Sequence, residues 1–189
     1  MVRGWRAAAA VLAIGCGVGA CASGANSPAA QQVAAKADPF RPYDEVSTVT
    51  LKQAAATQIV TLRLLGRRDR TTKTVTTHAF VQIAYEAAGA RRYESARNEK
   101  AQPLKFAVLS KAIPRCQAKA GCFFTEEYLV DIPETELRAA RQAGYRFKIF
   151  ARSTPELLIA VPAPIIVALA EGMDKQLAAT PAVAAAVAK

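Results

Sequence analysis

The stretch Val60-Thr61-Leu62-Arg63-Leu64-Leu65-Gly66-Arg67-Arg68-Asp69-Arg70-Thr71-Thr72-Lys73-Thr74-Val75-Thr76-Thr77-His78-Ala79-Phe80-Val81-Gln82-Ile83-Ala84-Tyr85 decides the fold class. Its apolar residues recur at every second position. Val60, Leu62 and Leu64 share one face of a predicted strand. Val75, Thr77, Ala79, Val81, Ile83 and Tyr85 share one face of the next. A period of two is the signature of a strand with one buried face. The Thr-rich, β-branched flanks favour strand over helix. Between the two runs, Gly66 to Thr71 read as a turn-like tip, with Gly66 a lone turn glycine, so the pair is expected to form a hairpin.

Towards the C-terminus, Leu104, Phe106 and Val108 open a later strand, and Phe124, Tyr128 and Val130 lie on a strand that follows Cys122. A helix is predicted from Pro133, which suits an opening turn. Glu134 and Glu136 complement the positive end of its dipole, and Arg138 and Arg141 the negative end. Gly144 is placed to end it. Tyr145, Phe147 and Ile149 then alternate as a strand, which Leu158 and Ala160 continue. A second helix begins near Pro164, with Ile166, Leu169, Met173 and Leu177 at helical spacing as a packing face. This order predicts an α+β fold: a mainly antiparallel β-sheet with two helices in the C-terminal half.

The N-terminus reads as an address. Arg3 and Arg6 are followed by Ala7 to Ala20 without a charge. That run is too short for an ordinary transmembrane helix of about 20 residues; it has the form of a signal peptide over 1–20. At its end, Val18-Gly19-Ala20-Cys21 resembles the lipobox of bacterial lipoproteins. In that family a lipid is joined to the Cys sulfur and a peptidase cuts just before it, which implies lipidation at Cys21. Ala22 is not the Asp that retains some lipoproteins in the inner membrane, so the resemblance implies the outer membrane, with the domain facing the periplasm. Two alternatives are a partial match ending at Cys16 and an ordinary secretory cut at Ala20-Cys21-Ala22, which would release a soluble periplasmic or secreted protein.

Residues 21–44 read as a flexible, lipid-anchored linker, rich in Ala, Ser, Gly, Asn, Gln and Pro. A single β-rich domain is expected over 45–177, with an Ala-rich tail at 178–189. Removing Arg3 and Arg6 with the signal leaves 23 Lys and Arg against 15 Asp and Glu, a net charge of +8. In an envelope this favours anionic components or another envelope protein as partners and excludes nucleic acid. Export also places Cys116 and Cys122 where paired cysteines close into a disulfide. It would clip the base of a second hairpin, with the loop Gln117 to Gly121 between. A redox-active pair is the alternative, but that normally needs a C-x-x-C spacing beside a helix start.

Catalytic constellations are nearly absent from the sequence. His78 is the one histidine. It lies on the strand face opposite Val81 and Ile83, where a partly exposed histidine is the plain expectation. A hydrolase would have to use it with Ser110 or Ser153, neither of which stands in a G-x-S-x-G elbow. One histidine and two paired cysteines cannot supply four ligands to structural zinc. Glu126 and Glu127 point to opposite faces of a strand and are expected at a polar edge. No cofactor is implied. The one feature above background is basic: Arg67, Arg68, Arg70 and Lys73 cluster at the first hairpin tip as anion-binding candidates. Arg91 and Arg92 lie a strand length away. The leading expectation is a non-enzymatic binding or structural module of the cell envelope. The alternatives are an envelope hydrolase with a site near His78 and a small-ligand carrier with an apolar cavity between sheet and helix.

Overall fold

The computed structural model describes residues 33–36, 38, 40–55, 58–110, 114–117, 121–152 and 155–179. The signal segment and Cys21, Ser153, and the tail beyond 179 lie outside them. Every strand pairing is antiparallel. The first sheet holds β1 (Ala34–Lys36), β2 (Tyr43–Ser47), β3 (Leu51–Ala55), β4 (Gln58–Asp69), β5 (Val75–Ala87), β8 (Phe106–Ser110), β9 (Arg115–Gln117) and β10 (Gly121–Ile132). Its order is β1-β2-β4-β5-β10-β8, with β3 beside β4 and β9 beside β10. The second sheet has the order β12-β11-β6-β7, from β6 (Tyr93–Asn98), β7 (Pro103–Leu104), β11 (Tyr145–Ala151) and β12 (Leu157–Val161). Two helices follow, α1 (Glu134–Ala139) and α2 (Ala163–Ala179). The fold is thus mostly antiparallel β with two helices in the C-terminal half, in line with the α+β expectation.

The two sheets enclose one core. At one margin the run 103–110 belongs to both: β7 pairs with β6, β8 pairs with β10, and between them the Asp131 N–H donates to the Lys105 carbonyl at 2.9 Å. At the other margin Gln53 of β3 donates through Nε2 to the Ala160 carbonyl of β12 at 2.6 Å. The alternation predicted for the central hairpin holds. Leu62, Leu64, Val81, Ile83 and Tyr85 are buried, in one hydrophobic cluster with Phe147, Ile149 and Ile159 of the second sheet. In β12 the inward residues are Ile159 and Val161, while Leu158 is half exposed. Leu158 and Ala160 continue the sheet as expected, on its outward face. In a short, all-apolar run the facing strand sets the phase, because a one-residue slip flips every side chain.

The chain also corrects several boundaries. The sheet starts within the stretch read as linker, since Ala34–Lys36 pairs with β2 and Val33 packs against the core. Three small or long polar side chains carry no legible period, so only pairing reveals that strand. The first hairpin tip is displaced from Gly66–Thr71 to 70–74, because β4 runs on to Asp69. Gly66 is not a turn glycine. It lies buried in β4 opposite Val46 and Thr77, where an added Cβ would come within 2.5 Å of Met173 Sδ on α2. Helix α1 stops at Ala139, short of Gly144, whose φ of +82° instead closes the turn that leads into β11. Arg138 contacts Glu134 and pairs with Asp174 at 3.0 Å, joining α1 to α2. Its guanidinium holds the Asp174 carboxyl below the usual range. On α2, Ile166, Leu169 and Met173 face the core as predicted, and the helix passes the expected boundary at 177 to reach Ala179.

The disulfide is in place. Cys116 and Cys122 are directly opposed in the β9–β10 pair and bonded at 2.07 Å. The closed loop is short, so the chain-entropy contribution is about 2.4 kcal/mol. Reduction, or Cys116→Ser with Cys122→Ser, is expected to lower unfolding free energy by about that amount in urea titrations. A difference under about 0.5 kcal/mol would show that β9 is held by pairing alone.

Candidate functional site

The basic hairpin tip, the anion-binding candidate of the sequence, packs beside strand β2. Three of its four cations, Arg67, Arg70 and Lys73, are already engaged. Arg67 Nε pairs with Glu45 Oε2 at 2.8 Å and its guanidinium lies 5.0 Å from the Tyr43 ring centroid. Arg70 donates through Nε and Nη2 to Asp44 Oδ1 at 2.9 and 2.7 Å. Lys73 Nζ donates to the Arg70 carbonyl at 2.6 Å. Arg68 Nε is buried without a hydrogen-bond partner. Asp69 Oδ1 accepts the Thr72 and Thr71 N–H groups at 2.7 and 2.8 Å, and these hold its carboxyl below the usual range. The tip is therefore rigid, and acids from the neighbouring strand β2 offset much of its charge. Arg91 and Arg92 lie elsewhere, beyond the far end of β5.

Beside the tip stands a second turn, between β1 and β2. The Phe40 N–H donates to Asp38 Oδ1 at 3.0 Å and the Arg41 N–H to the Asp38 carbonyl at 3.1 Å. The Arg70 N–H donates to the Pro42 carbonyl at 2.8 Å and so binds the two turns together. Phe40 is 95 % exposed.

His78 is buried rather than partly exposed. Its Nδ1 donates to Asp131 Oδ1 at 2.6 Å across the β5–β10 pair, and Lys105 Nζ lies 3.7 Å from Asp131 Oδ2. A histidine oriented by a carboxylate is two-thirds of a hydrolytic triad. The candidate nucleophile Ser110, however, lies opposite Glu127, four residues along β10 from Asp131, or about 13 Å. Ser153 lies outside the described residues.

Glu126 and Glu127 do point to opposite faces, but Glu126 does not sit at a polar edge. It is 3 % exposed and belongs to the interior row of β10 with Phe124 and Tyr128. Oε1 accepts the Tyr85 hydroxyl at 2.7 Å and the Arg92 N–H at 3.2 Å, and Oε2 accepts the Tyr128 hydroxyl. The Tyr85 oxygen in turn accepts the Arg91 N–H at 2.7 Å, and the Tyr128 oxygen the Tyr93 N–H at 3.3 Å. The Arg91 guanidinium lies 4.2 Å from the Tyr85 ring centroid and contacts Gln58. Burial, and then the carboxylate beside them, push both phenols above their usual range. Both carboxylate oxygens are occupied by protein donors, so the cluster fastens the 91–93 segment, where Arg92 has a φ of +54°, to the first sheet. A charged residue in an inward register position was its sequence signal, because such residues are almost never buried unless paired.

The outer face of the second sheet carries a groove of ≈ 440 Å³. Cations line its central strand, and each faces an acid: Arg146 pairs with Glu99 at 2.5 Å, Lys148 with Glu156, and Arg152, further along, with Glu94 at 2.9 Å. Arg97 lies over the Phe150 ring. Cross-strand ion pairs on a solvated face contribute little each. Among the described residues, a cavity lined by Leu137, Ile166, Leu169 and Met173 between the helices and the first sheet measures ≈ 10 Å³, about what one water needs, and a wider groove of ≈ 270 Å³ opens beside it along Val75, Lys105, Asp131 and Glu134. Among the described residues, no group of three His, Cys, Asp or Glu is placed to hold a metal ion, and no helix is long and apolar enough to cross a membrane. No known protein family, curated protein or solved structure matches this chain.

Proposed function

We propose that this is a lipid-anchored protein of the cell envelope, tethered through Cys21. Its β-rich domain would act at the periplasmic face of the outer membrane as a binding or structural module, towards another envelope protein or an anionic envelope component. The observation that carries this reading is Val18-Gly19-Ala20-Cys21, placed at the end of a charge-free run behind Arg3 and Arg6. The Cys116–Cys122 disulfide supports it, because such bonds persist in oxidising compartments. The non-enzymatic part rests on the polar clusters: the buried carboxylate has both oxygens occupied, and His78 and Asp131 lie far from Ser110.

Anchoring is tested in a bacterial host that processes lipoproteins, by mass measurement of the mature N-terminus and by membrane fractionation. The wild-type chain is expected to start at Cys21, to carry acyl mass, and to fractionate with the outer membrane. Cys21→Ser is expected to lose the acyl mass and membrane retention together, since stable anchoring requires two or more acyl chains. An unlipidated wild-type N-terminus within a few residues of Ala22 overturns the reading.

A further inference from the structure

We propose that the turn carrying Phe40 and the neighbouring hairpin tip at 69–74 dock on the anionic phospholipid surface to which the chain is tethered, with Phe40 inserted at the head-group boundary. This rests on the lipid-anchor reading and names the partner of the basic tip. Single exposed apolar residues are common, but the backbone that carries Phe40 is hydrogen-bonded in place. Its turn is closed by Asp38 and tied to the neighbouring tip through the Arg70 N–H and the Arg70–Asp44 pair. A turn whose backbone is already tied loses less conformational freedom on docking than a free segment would.

The charge around it suits the same partner. Within 36–45 and 66–74 stand Lys36, Arg41, Arg67, Arg68, Arg70 and Lys73 against Asp38, Asp44, Glu45 and Asp69, a local excess of two cations. Lys36 and Lys73 are exposed at the margins of the patch. The excess is small, so the patch alone would bind weakly, but tethering changes what is needed. Val33 follows Cys21 by twelve positions, which an extended chain spans in at most about 40 Å. Phe40 is seven positions further on. A lipid at Cys21 and the Phe40 ring can therefore reach one membrane, and a short tether supplies an effective concentration of about millimolar. At that concentration a weak contact is substantially populated. An aromatic ring about 5–10 Å into the boundary, with cations at the head groups, is the ordinary geometry of such contacts.

The test uses the full-length, processed, lipidated protein. Trp5 is the one tryptophan and lies in the segment removed on processing, so Phe40→Trp supplies the sole indole of the mature chain. The protein is reconstituted in vesicles of phosphatidylcholine and phosphatidylglycerol with lipids brominated near the head-group boundary. The expected result is blue-shifted, quenched emission. Adding Lys36→Glu and Lys73→Glu is expected to lower the docked-to-free ratio about tenfold or more. Solvent-like, unquenched emission from protein that still floats with the vesicles overturns docking and leaves the anchor standing. Equal quenching in pure phosphatidylcholine overturns the choice of an anionic surface. Protein that does not float overturns the anchor, and docking with it.

Discussion

Glu126→Ala is expected to lower the unfolding free energy by about 3–5 kcal/mol, the cost of leaving unpaired the buried donors that meet its carboxylate. The carboxylate is 3 % exposed and takes hydrogen bonds from Tyr85, Tyr128 and the Arg92 N–H. Truncation leaves two phenols and a backbone N–H facing one another without an acceptor, and each buried unpaired donor costs about 1–3 kcal/mol. Glu126→Gln keeps an acceptor for Tyr85 and Arg92 and offers a donor to the Tyr128 oxygen. It is expected to cost about 1–2 kcal/mol. The control is Glu127→Ala. That side chain faces outward and bonds only Gln82 among the hydrogen bonds described, so a loss within about 1 kcal/mol is expected. Equilibrium urea denaturation checks all three. Equal effects at 126 and 127 would show that the interior carboxylate does not fasten the 91–93 segment.

Gly144→Ala is expected to cost about 2–4 kcal/mol, from two sources that act together. The backbone there has φ +82°, a region that costs an L side chain roughly 1–2 kcal/mol. A Cβ would also stand 2.8 Å from the Val161 carbonyl oxygen, a backbone atom of β12 that cannot turn aside. Relieving that overlap by shifting the strand adds about 1–3 kcal/mol. Gly89→Ala is the matched control, since a Cβ there meets nothing within 4 Å. It is expected to be neutral or to stabilise by up to about 1 kcal/mol, through the unfolded chain. Denaturation midpoints at constant slope measure both. A Gly144→Ala protein as stable as Gly89→Ala would show that the α1–β11 turn adjusts freely.

Legibility in the sequence followed the range of each interaction. The central hairpin was readable because the alternation Val60, Leu62, Leu64 and Ala79, Val81, Ile83 needs no partner to be seen. The disulfide was readable on the expectation of export, under which Cys116 and Cys122 are left to pair with each other. Gly66 was misread, because a glycine that admits Met173 and a glycine that bends a turn are the same letter. The end of α1 was misread because Gly144 serves the strand that follows, not the helix before it. His78 and Asp131 stand 53 residues apart, and only the β5–β10 register makes them neighbours.

The candidate surfaces divide in the same way. By itself the sequence determined the strand period, the class of fold, the cysteine pair and the basic tip. These are local patterns of polarity, size and charge, set by covalent neighbours. Only the tertiary structure decided that Asp44 and Glu45 sit against Arg70 and Arg67, and that Phe40 shares the tip's end of the sheet. Only it showed Glu126 inside a cage of hydroxyls. Each of these depends on which strand lies beside which, and at what register. That is settled by the burial of the whole core rather than by any segment of it.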